Sequence, residues 1–203
     1  MENSTIQEII DKSRELEGQN LKCLDIGCKF PNFVFELAEN NSNFSQFNTI
    51  DKSKESMLIS QRIRVTNEMV LDDELWDIYS LSYKRYEIKS DFFNSFDFQI
   101  NEIENWQPKY ENHYNLIVLS NIFHFIKTKK ESEIIAERIV SALSTNGKIY
   151  FDAANEKHSY FGKSDKTTYN TEDISKIFPN MVVDHGIYPK EGKTICYLSK
   201  NKE

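Results

Sequence analysis

Long hydrophobic runs are missing from this sequence, and its first residues have neither the basic start nor the apolar core of a secretory signal. Basic residues are also in deficit. The 25 Lys and Arg stand against 32 Asp and Glu, which gives a formal net charge of −7. This balance repels phosphate backbones, so the sequence predicts no nucleic-acid partner, and the short apolar runs predict no membrane partner.

Cysteine is scarce, with Cys23, Cys28 and Cys196 as the three examples. An odd number of cysteines, two of them inside apolar strand-like runs, favours reduced, buried thiols in a cytoplasmic protein. A metal site would need a second pair of Cys or His residues near Cys23 and Cys28. The four histidines are scattered instead, so no metal site is predicted.

Helical and strand-like segments alternate along the rest of the chain, and two strand-like runs close it. This order predicts one α/β domain over residues 1–203, built on an open, mostly parallel sheet with an antiparallel C-terminal hairpin strand and helices on both faces. The predicted strands are Leu21–Gly27, Phe47–Asp51, Tyr86–Lys89, Tyr114–Leu119, Lys148–Asp152, Met181–Tyr188 and Lys193–Ser199.

Two helical segments frame the first half of the chain. Residues 1–18 predict an N-terminal helix, and residues from about 61 to 86 predict a helical insertion. The aromatic residues of the insertion could line an acceptor pocket, pack in the core or form a homodimer contact, and these alternatives stay open. The segment from Asn94 to His113 is predicted to be irregular, with one helix around 99–106, and Gly147 is predicted to form a turn.

Polar residues stand at the ends of several predicted strands: Asp25, Asp51, Asp91 and Ser120. In open α/β sheets, ligands bind beyond the carboxyl ends of the strands, where the strand order reverses. We therefore expect these residues to face a common crevice.

The run LDIGCKFPNFVFELA, residues 24–38, resembles the first motif of the class I S-adenosylmethionine-dependent methyltransferases, an acid followed by Gly-x-Gly-x-Gly and a helix. Asp25 and Gly27 match that motif, and Asp51 matches the acid that holds the ribose in the family. Four further motifs follow in the family's order: Ser90-Asp91-Phe92, Tyr114–Ile126, Ala142–Asp152 and Tyr169–Phe178.

The resemblance implies a Rossmann-like fold, S-adenosyl-L-methionine as cofactor, and methyl transfer to a small-molecule acceptor or, as a second choice, to a protein side chain. It implies a cofactor site formed by Asp25, Gly27, Cys28, Lys29, Asp51, Lys52, Asp91, Phe92 and Ser120. Asp91 would lie near the adenine amine, although it could equally be an ordinary helix N-cap.

No catalytic residue follows from the resemblance. His124 could act as a base, but the favoured interpretation is that it fills space beside the cofactor. The Pro-Pro-aromatic run typical of amino-methyltransferases that act on nucleic-acid bases is replaced here by Ser120-Asn121-Ile122-Phe123.

Lys29 and Pro31 depart from the family pattern, because they stand where its second and third glycines usually lie. Glycine tolerates positive φ there and lets a ligand approach the backbone. Either the Lys29 ammonium pairs with the methionine carboxylate and binding survives, or the loop is closed and the chain is a non-catalytic binding or scaffold protein. A nicotinamide-dependent oxidoreductase is a weaker alternative, since only Gly27 of its glycine fingerprint is present.

Overall fold

The structure, a computed structural model, describes residues 3–28, 32–53, 95–155, 157, 168–185 and 192–201. Within these residues four helices and seven strands follow one another along the chain. The helices are α1 (Asn3–Ser13), α2 (Asn32–Asn40), α3 (Lys129–Ala142) and α4 (Thr171–Ile177). The strands are β1 (Leu21–Ile26), β2 (Phe44–Asp51), β3 (Phe96–Ile100), β4 (Tyr114–Ser120), β5 (Leu143–Ala154), β6 (Met181–His185) and β7 (Lys193–Lys200).

The seven strands form one sheet in the order β3-β2-β1-β4-β5-β7-β6. Strands β1 to β5 pair in parallel, whereas β7 runs antiparallel to both β5 and β6. The chain moves outward from β1 to β3 and then returns to place β4 on the other side of β1. The predicted sheet, mostly parallel with an antiparallel C-terminal hairpin, is confirmed.

Apolar residues cover both faces of this sheet. On one face, Ile9 and Ile10 of α1 and Val34 of α2 are buried in a cluster with side chains of the strands. On the other face, Ile139 of α3 and Ile174 of α4 are buried in a second cluster. Since parallel strands are covered on both sides, β1 and β4 are buried almost throughout. The predicted placement of helices on both faces is confirmed.

The segment predicted to be irregular contains a strand of the sheet. Phe96–Ile100 forms β3, which pairs with β2 so that Ile100 lies beside Asp51. The predicted helix around 99–106 is wrong, because β3 continues to Ile100 and turns follow it. The alternation of Phe96, Phe98 and Ile100 with polar residues was the available signal, and it is typical of a half-exposed edge strand.

The turn predicted at Gly147 is also wrong. Gly147 lies inside β5, where residues 144–147 bulge opposite the single residue Asn115 of β4. A Cβ atom on Gly147 would lie 2.7 Å from Leu143 Cδ1, so the absence of a side chain lets the bulge pack tightly.

The helix predicted at the N-terminus ends earlier than expected, at Ser13. The helical insertion predicted at about 61–86 and the third strand predicted at Tyr86–Lys89 lie outside the described residues. No helix in the described part of the chain combines the length and the apolar character needed to cross a membrane.

Candidate functional site

The carboxyl ends of β1, β2 and β4 meet at one edge of the sheet. Ile26 of β1 pairs with Ile50 of β2 and with Leu119 of β4, so Asp51, Gly27 and Ser120 follow in the next row. The Gly27 amide donates a hydrogen bond of 2.7 Å to the Ile50 carbonyl, which continues the β1–β2 pairing by one step. Since neighbouring strands lie about 4.8 Å apart, these residues surround one small region.

A cavity of about 510 Å³ opens above these strand ends. Its size falls within the range of roughly 300–1,000 Å³ that is usual for small-molecule sites. The described residues that line it are Asp25, Ile26, Gly27, Cys28, Phe33, Ile50, Asp51, Lys52, Ser53, Asn101, Glu102, Ile103, Glu104, Ser120, Asn121, Ile122 and Phe125. The strand order reverses between β1 and β4, which is where ligands bind in open α/β sheets.

Asp25 is a buried acid at the base of this cavity, with 2% of its surface exposed. Burial, with a smaller contribution from the nearby Asp51 carboxylate, raises the pKa of its carboxyl from 3.8 to about 7. Asp51 is partly exposed, and one of its oxygens accepts a 2.8 Å hydrogen bond from the Ser53 amide. The floor therefore holds one deeply buried acid and one accessible acid on adjacent strands.

Gly27 is the point where only a glycine fits. Its φ is +77°, a left-handed value that side chains disfavour. A Cβ atom there would lie 2.8 Å from Ile122 Cδ1, inside van der Waals contact. The backbone of the β1 turn is thus exposed to the cavity and lies against the loop that follows β4.

The loop after β3 supplies a wall that the sequence analysis missed. Asn101, Glu102, Ile103 and Glu104 line the cavity immediately beyond the β3 end, and the Asn101 amide donates to the Asp51 carbonyl at 3.0 Å. These residues occupy the place after the third strand that was assigned to Asp91. The assignment depended on placing the third strand at Tyr86–Lys89, and Asp91 and Phe92 lie outside the described residues.

The remaining predicted residues divide into two groups. Cys28, Lys52 and Ser120 line the cavity with Asp25, Gly27 and Asp51. Burial raises the pKa of the Cys28 thiol well above its ordinary value, which disfavours a thiolate there. Lys29 and Pro31, on which the integrity of the glycine loop depends, lie outside the described residues.

His124 lies in the 3-10 turn Phe123–Phe125 after β4. It is 3% exposed, and the cavity is lined by its neighbours Ile122 and Phe125 rather than by the imidazole. This location favours the interpretation that His124 fills space. Phe125, by contrast, is 53% exposed and presents an aromatic surface to the cavity.

Neither a protein-family model nor a curated protein sequence matches this chain. Solved structures do resemble it. The N-methyltransferase NodS from Bradyrhizobium japonicum, in complex with S-adenosyl-L-homocysteine, superposes with a TM-score of 0.65 at 11% identity, over 98% of this chain and 85% of NodS.

Two other methyltransferase structures are similar to this chain over almost its whole length. A TehB-like S-adenosylmethionine-dependent methyltransferase from Corynebacterium glutamicum has a TM-score of 0.60 at 12% identity, covering 97% of this chain and 88% of its own. An S-adenosylmethionine-dependent methyltransferase from Leishmania major has a TM-score of 0.63 at 13% identity, covering 96% and 71%. The chain therefore has the Rossmann-like fold of the class I S-adenosylmethionine-dependent methyltransferases.

Proposed function

We propose that this protein is an S-adenosylmethionine-dependent methyltransferase that acts on a small-molecule acceptor in the cytoplasm. The observation that carries the proposal is the cavity at the strand-order reversal, which brings Asp25, Gly27 and Asp51 together. Support for the cytoplasm comes from the cysteines, since all three are free thiols. Enzymes with this fold that bind S-adenosyl-L-homocysteine, such as NodS, supply the analogy for the cofactor.

The lining residues suit the parts of this cofactor. The Asp51 carboxylate can accept two hydrogen bonds from a ribose diol, and such charge-assisted bonds are strong. Gly27 lines the cavity without a side chain, so we assign its backbone to the methionine portion of the ligand. Asn101 and Glu102, beyond β3, offer polar groups to an adenine edge, and Ile103 offers an apolar surface. Lys52 is the one cation among the described lining residues.

Methyl transfer requires little from the protein beyond the alignment of the two reactants. The sulfonium of S-adenosylmethionine supplies an electrophilic methyl group when it is bound. The cavity residues orient the two reactants and exclude water, which are the main sources of acceleration for such a transfer. The exposed ring of Phe125 lies on the side of the cavity that we assign to the acceptor, whereas Ser120 is assigned to the cofactor.

Calorimetric titration with S-adenosylhomocysteine tests the proposal. We expect saturable binding to the wild type and a loss of at least about tenfold in affinity for Asp51→Ala, because the ribose diol loses a charged acceptor of two hydrogen bonds. Asp184→Asn, an exposed acid on the distant edge strand β6, is the matched control and should bind like the wild type.

Absence of heat and of a thermal shift with either S-adenosylmethionine or S-adenosylhomocysteine would remove the enzymatic proposal. If binding then emerged in a Lys29→Gly and Pro31→Gly double variant, the chain would be a scaffold protein that has lost its cofactor site.

A further inference from the structure

Asp152 is a fully buried carboxylate at the carboxyl end of β5, one strand beyond the residues that line the cavity. It is 1% exposed and is not among the lining residues. Register places it beside Ser120, in the same row as Gly27 and Asp51. A buried acid in this position needs hydrogen-bond donors, since an uncompensated charge there would be strongly destabilising.

Hydrogen-bond donors reach Asp152 from β4, from β5 itself and from the loop after β4, and a lysine of β7 forms an ion pair with it. Its Oδ2 accepts hydrogen bonds from the Ser120 hydroxyl at 2.7 Å and from the Tyr150 hydroxyl at 3.0 Å. Its Oδ1 accepts from the Asn121 amide at 2.9 Å and lies 3.9 Å from Lys193 Nζ of β7. Burial, with the neighbouring Asp152 charge, raises the pKa of Tyr150, so its hydroxyl stays protonated and able to donate.

Asn121 is held in an unusual backbone conformation by these contacts. Its φ is +55°, a left-handed value that costs an ordinary residue about 1–2 kcal/mol. Its amide donates both to the Asp152 side chain and, at 3.1 Å, to the Asp152 carbonyl. Asparagine tolerates the left-handed region better than most residues, so sequence and contacts favour the same conformation.

The residues held in this way form a wall of the cavity. Ser120 and Asn121 line it directly, and the next residue, Ile122, lies so close to Gly27 that no side chain would fit between them. A change in the backbone conformation of Asn121 would therefore move Ile122 against the β1 turn and change the shape of the cavity.

We propose that Asp152 is a positioning residue that keeps Ser120 and Asn121 in the backbone conformation which shapes the cavity for its nucleoside ligand. This inference rests on the proposed function, because S-adenosylhomocysteine is the probe that reports cavity shape. According to this inference, binding depends on the left-handed backbone conformation of Asn121 and not on the Asn121 side chain.

The pair Asn121→Gly and Asn121→Ala tests the proposal. Both variants remove the carboxamide, but glycine accepts a positive φ and alanine does not. We expect Asn121→Gly to bind S-adenosylhomocysteine within about threefold of the wild type. Asn121→Ala should bind roughly tenfold more weakly, because only a fraction of the free protein then holds the competent loop.

Asn112 provides a matched control at the opposite end of the sheet. It also has a positive φ, +48°, and its side chain accepts a hydrogen bond from Lys200. Asn112→Ala should lower the free energy of unfolding relative to Asn112→Gly, while both bind S-adenosylhomocysteine like the wild type. This control separates a loss of cavity shape from a general loss of stability.

Two variants of Asp152 test the carboxylate that accepts hydrogen bonds from Ser120 and Asn121. In Asp152→Asn the amide oxygen can still accept from the Asn121 amide, while its NH₂ group faces hydroxyls that can also accept. We expect this variant to retain affinity within about threefold and Asp152→Ala to lose roughly tenfold. Urea denaturation of each variant establishes whether it is folded, and the Asn121 pair decides the matter if Asp152→Ala is not.

Three results would overturn the proposal: equal affinities for the two Asn121 variants, a difference in affinity between Asn112→Ala and Asn112→Gly as large as that between the Asn121 variants, or full affinity in a folded Asp152→Ala protein. Failure of the wild type itself to bind S-adenosylhomocysteine is a different result, which removes the proposed function and this inference with it.

Discussion

Asp25 is an acid of the candidate site whose ionisation the folded state disfavours. Its carboxyl is buried at the end of β1, next to the strand that ends in Asp51, and its pKa rises from 3.8 to about 7. Because the folded state holds the Asp25 proton more tightly than the unfolded state, the stability from this group is fully present below about pH 4 and is lost as the pH rises through about 7.

Replacement of Asp25 by asparagine should therefore stabilise the empty protein at high pH. Three pKa units at about 1.4 kcal/mol each set an upper bound of about 4 kcal/mol for Asp25→Asn at pH 8 or so. Urea denaturation between about pH 4 and pH 8 would measure the difference, which should shrink toward the acid end. A difference that does not change with pH would show that Asp25 does not titrate in this range.

Affinity should show the opposite dependence on pH if the site binds S-adenosylhomocysteine. Its ammonium group is better accommodated by an ionised Asp25 than by a neutral one, so binding should tighten as the pH rises through about 7. Calorimetry on the wild type and on Asp25→Asn measures this, and the variant should bind more weakly with a flatter pH profile. A wild-type affinity that falls over this range would contradict the assignment of Asp25 to the cationic part of the ligand.

Strand β5 makes distinctive contacts near its start and near its end. Near its start, residues 144–147 bulge opposite Asn115, whose side chain donates to Ser144 and accepts from the Lys22 amide of β1. Near its end, Asp152 holds the loop after β4. The bulge sets the register with which β5 continues, because every later pair with β4 follows from it.

A side chain at Gly147 should destabilise this element. The added Cβ of Gly147→Ala would lie 2.7 Å from Leu143 Cδ1 and 3.0 Å from Leu143 Cγ, and Leu143 is fully buried. We expect a loss of about 1–3 kcal/mol in the free energy of unfolding, the usual cost of overpacking. Asn146→Ala, one residue earlier and exposed, is the control and should change stability by less than about 0.5 kcal/mol.

At the scale of the whole molecule, charge is the property that bears on function. The chain carries a formal net charge of −7, and four acidic side chains line the cavity in its described part: Asp25, Asp51, Glu102 and Glu104. One lysine, Lys52, opposes them. Such a surface attracts a cation and raises its local concentration.

S-adenosylmethionine carries a permanent positive charge on sulfur that S-adenosylhomocysteine lacks. We therefore expect it to bind more tightly at low salt, by about 1 kcal/mol or roughly fivefold, and the advantage to shrink in about 1 M salt. The double variant Glu102→Gln, Glu104→Gln should reduce the advantage, whereas Asp184→Asn, on the distant edge strand, should not. Tighter binding of S-adenosylhomocysteine at low salt would contradict this electrostatic assignment.

Local pattern was sufficient to predict much of this molecule. Buried parallel strands such as β1 and β4 are mostly apolar, and a polar residue or a glycine near the carboxyl end of such a run indicates where the strand stops. Asp25, Gly27, Asp51 and Ser120 could be placed at one sheet edge for this reason. The helix Thr171–Ile177 lies within Tyr169–Phe178, one of the runs that match the family, and its cap at Asn170 is a local feature.

Tertiary contacts decided the rest. β3 is a half-exposed edge strand, so its alternating pattern is short and weak, and the sequence analysis did not find the wall that Asn101 and Glu102 form after it. The contacts of Asp152 with Ser120 and Asn121, which are about 30 residues away in the chain, form only when β5 pairs with β4. A linear pattern records which residues are buried or turn the chain, whereas register between strands arises only when the whole sheet forms.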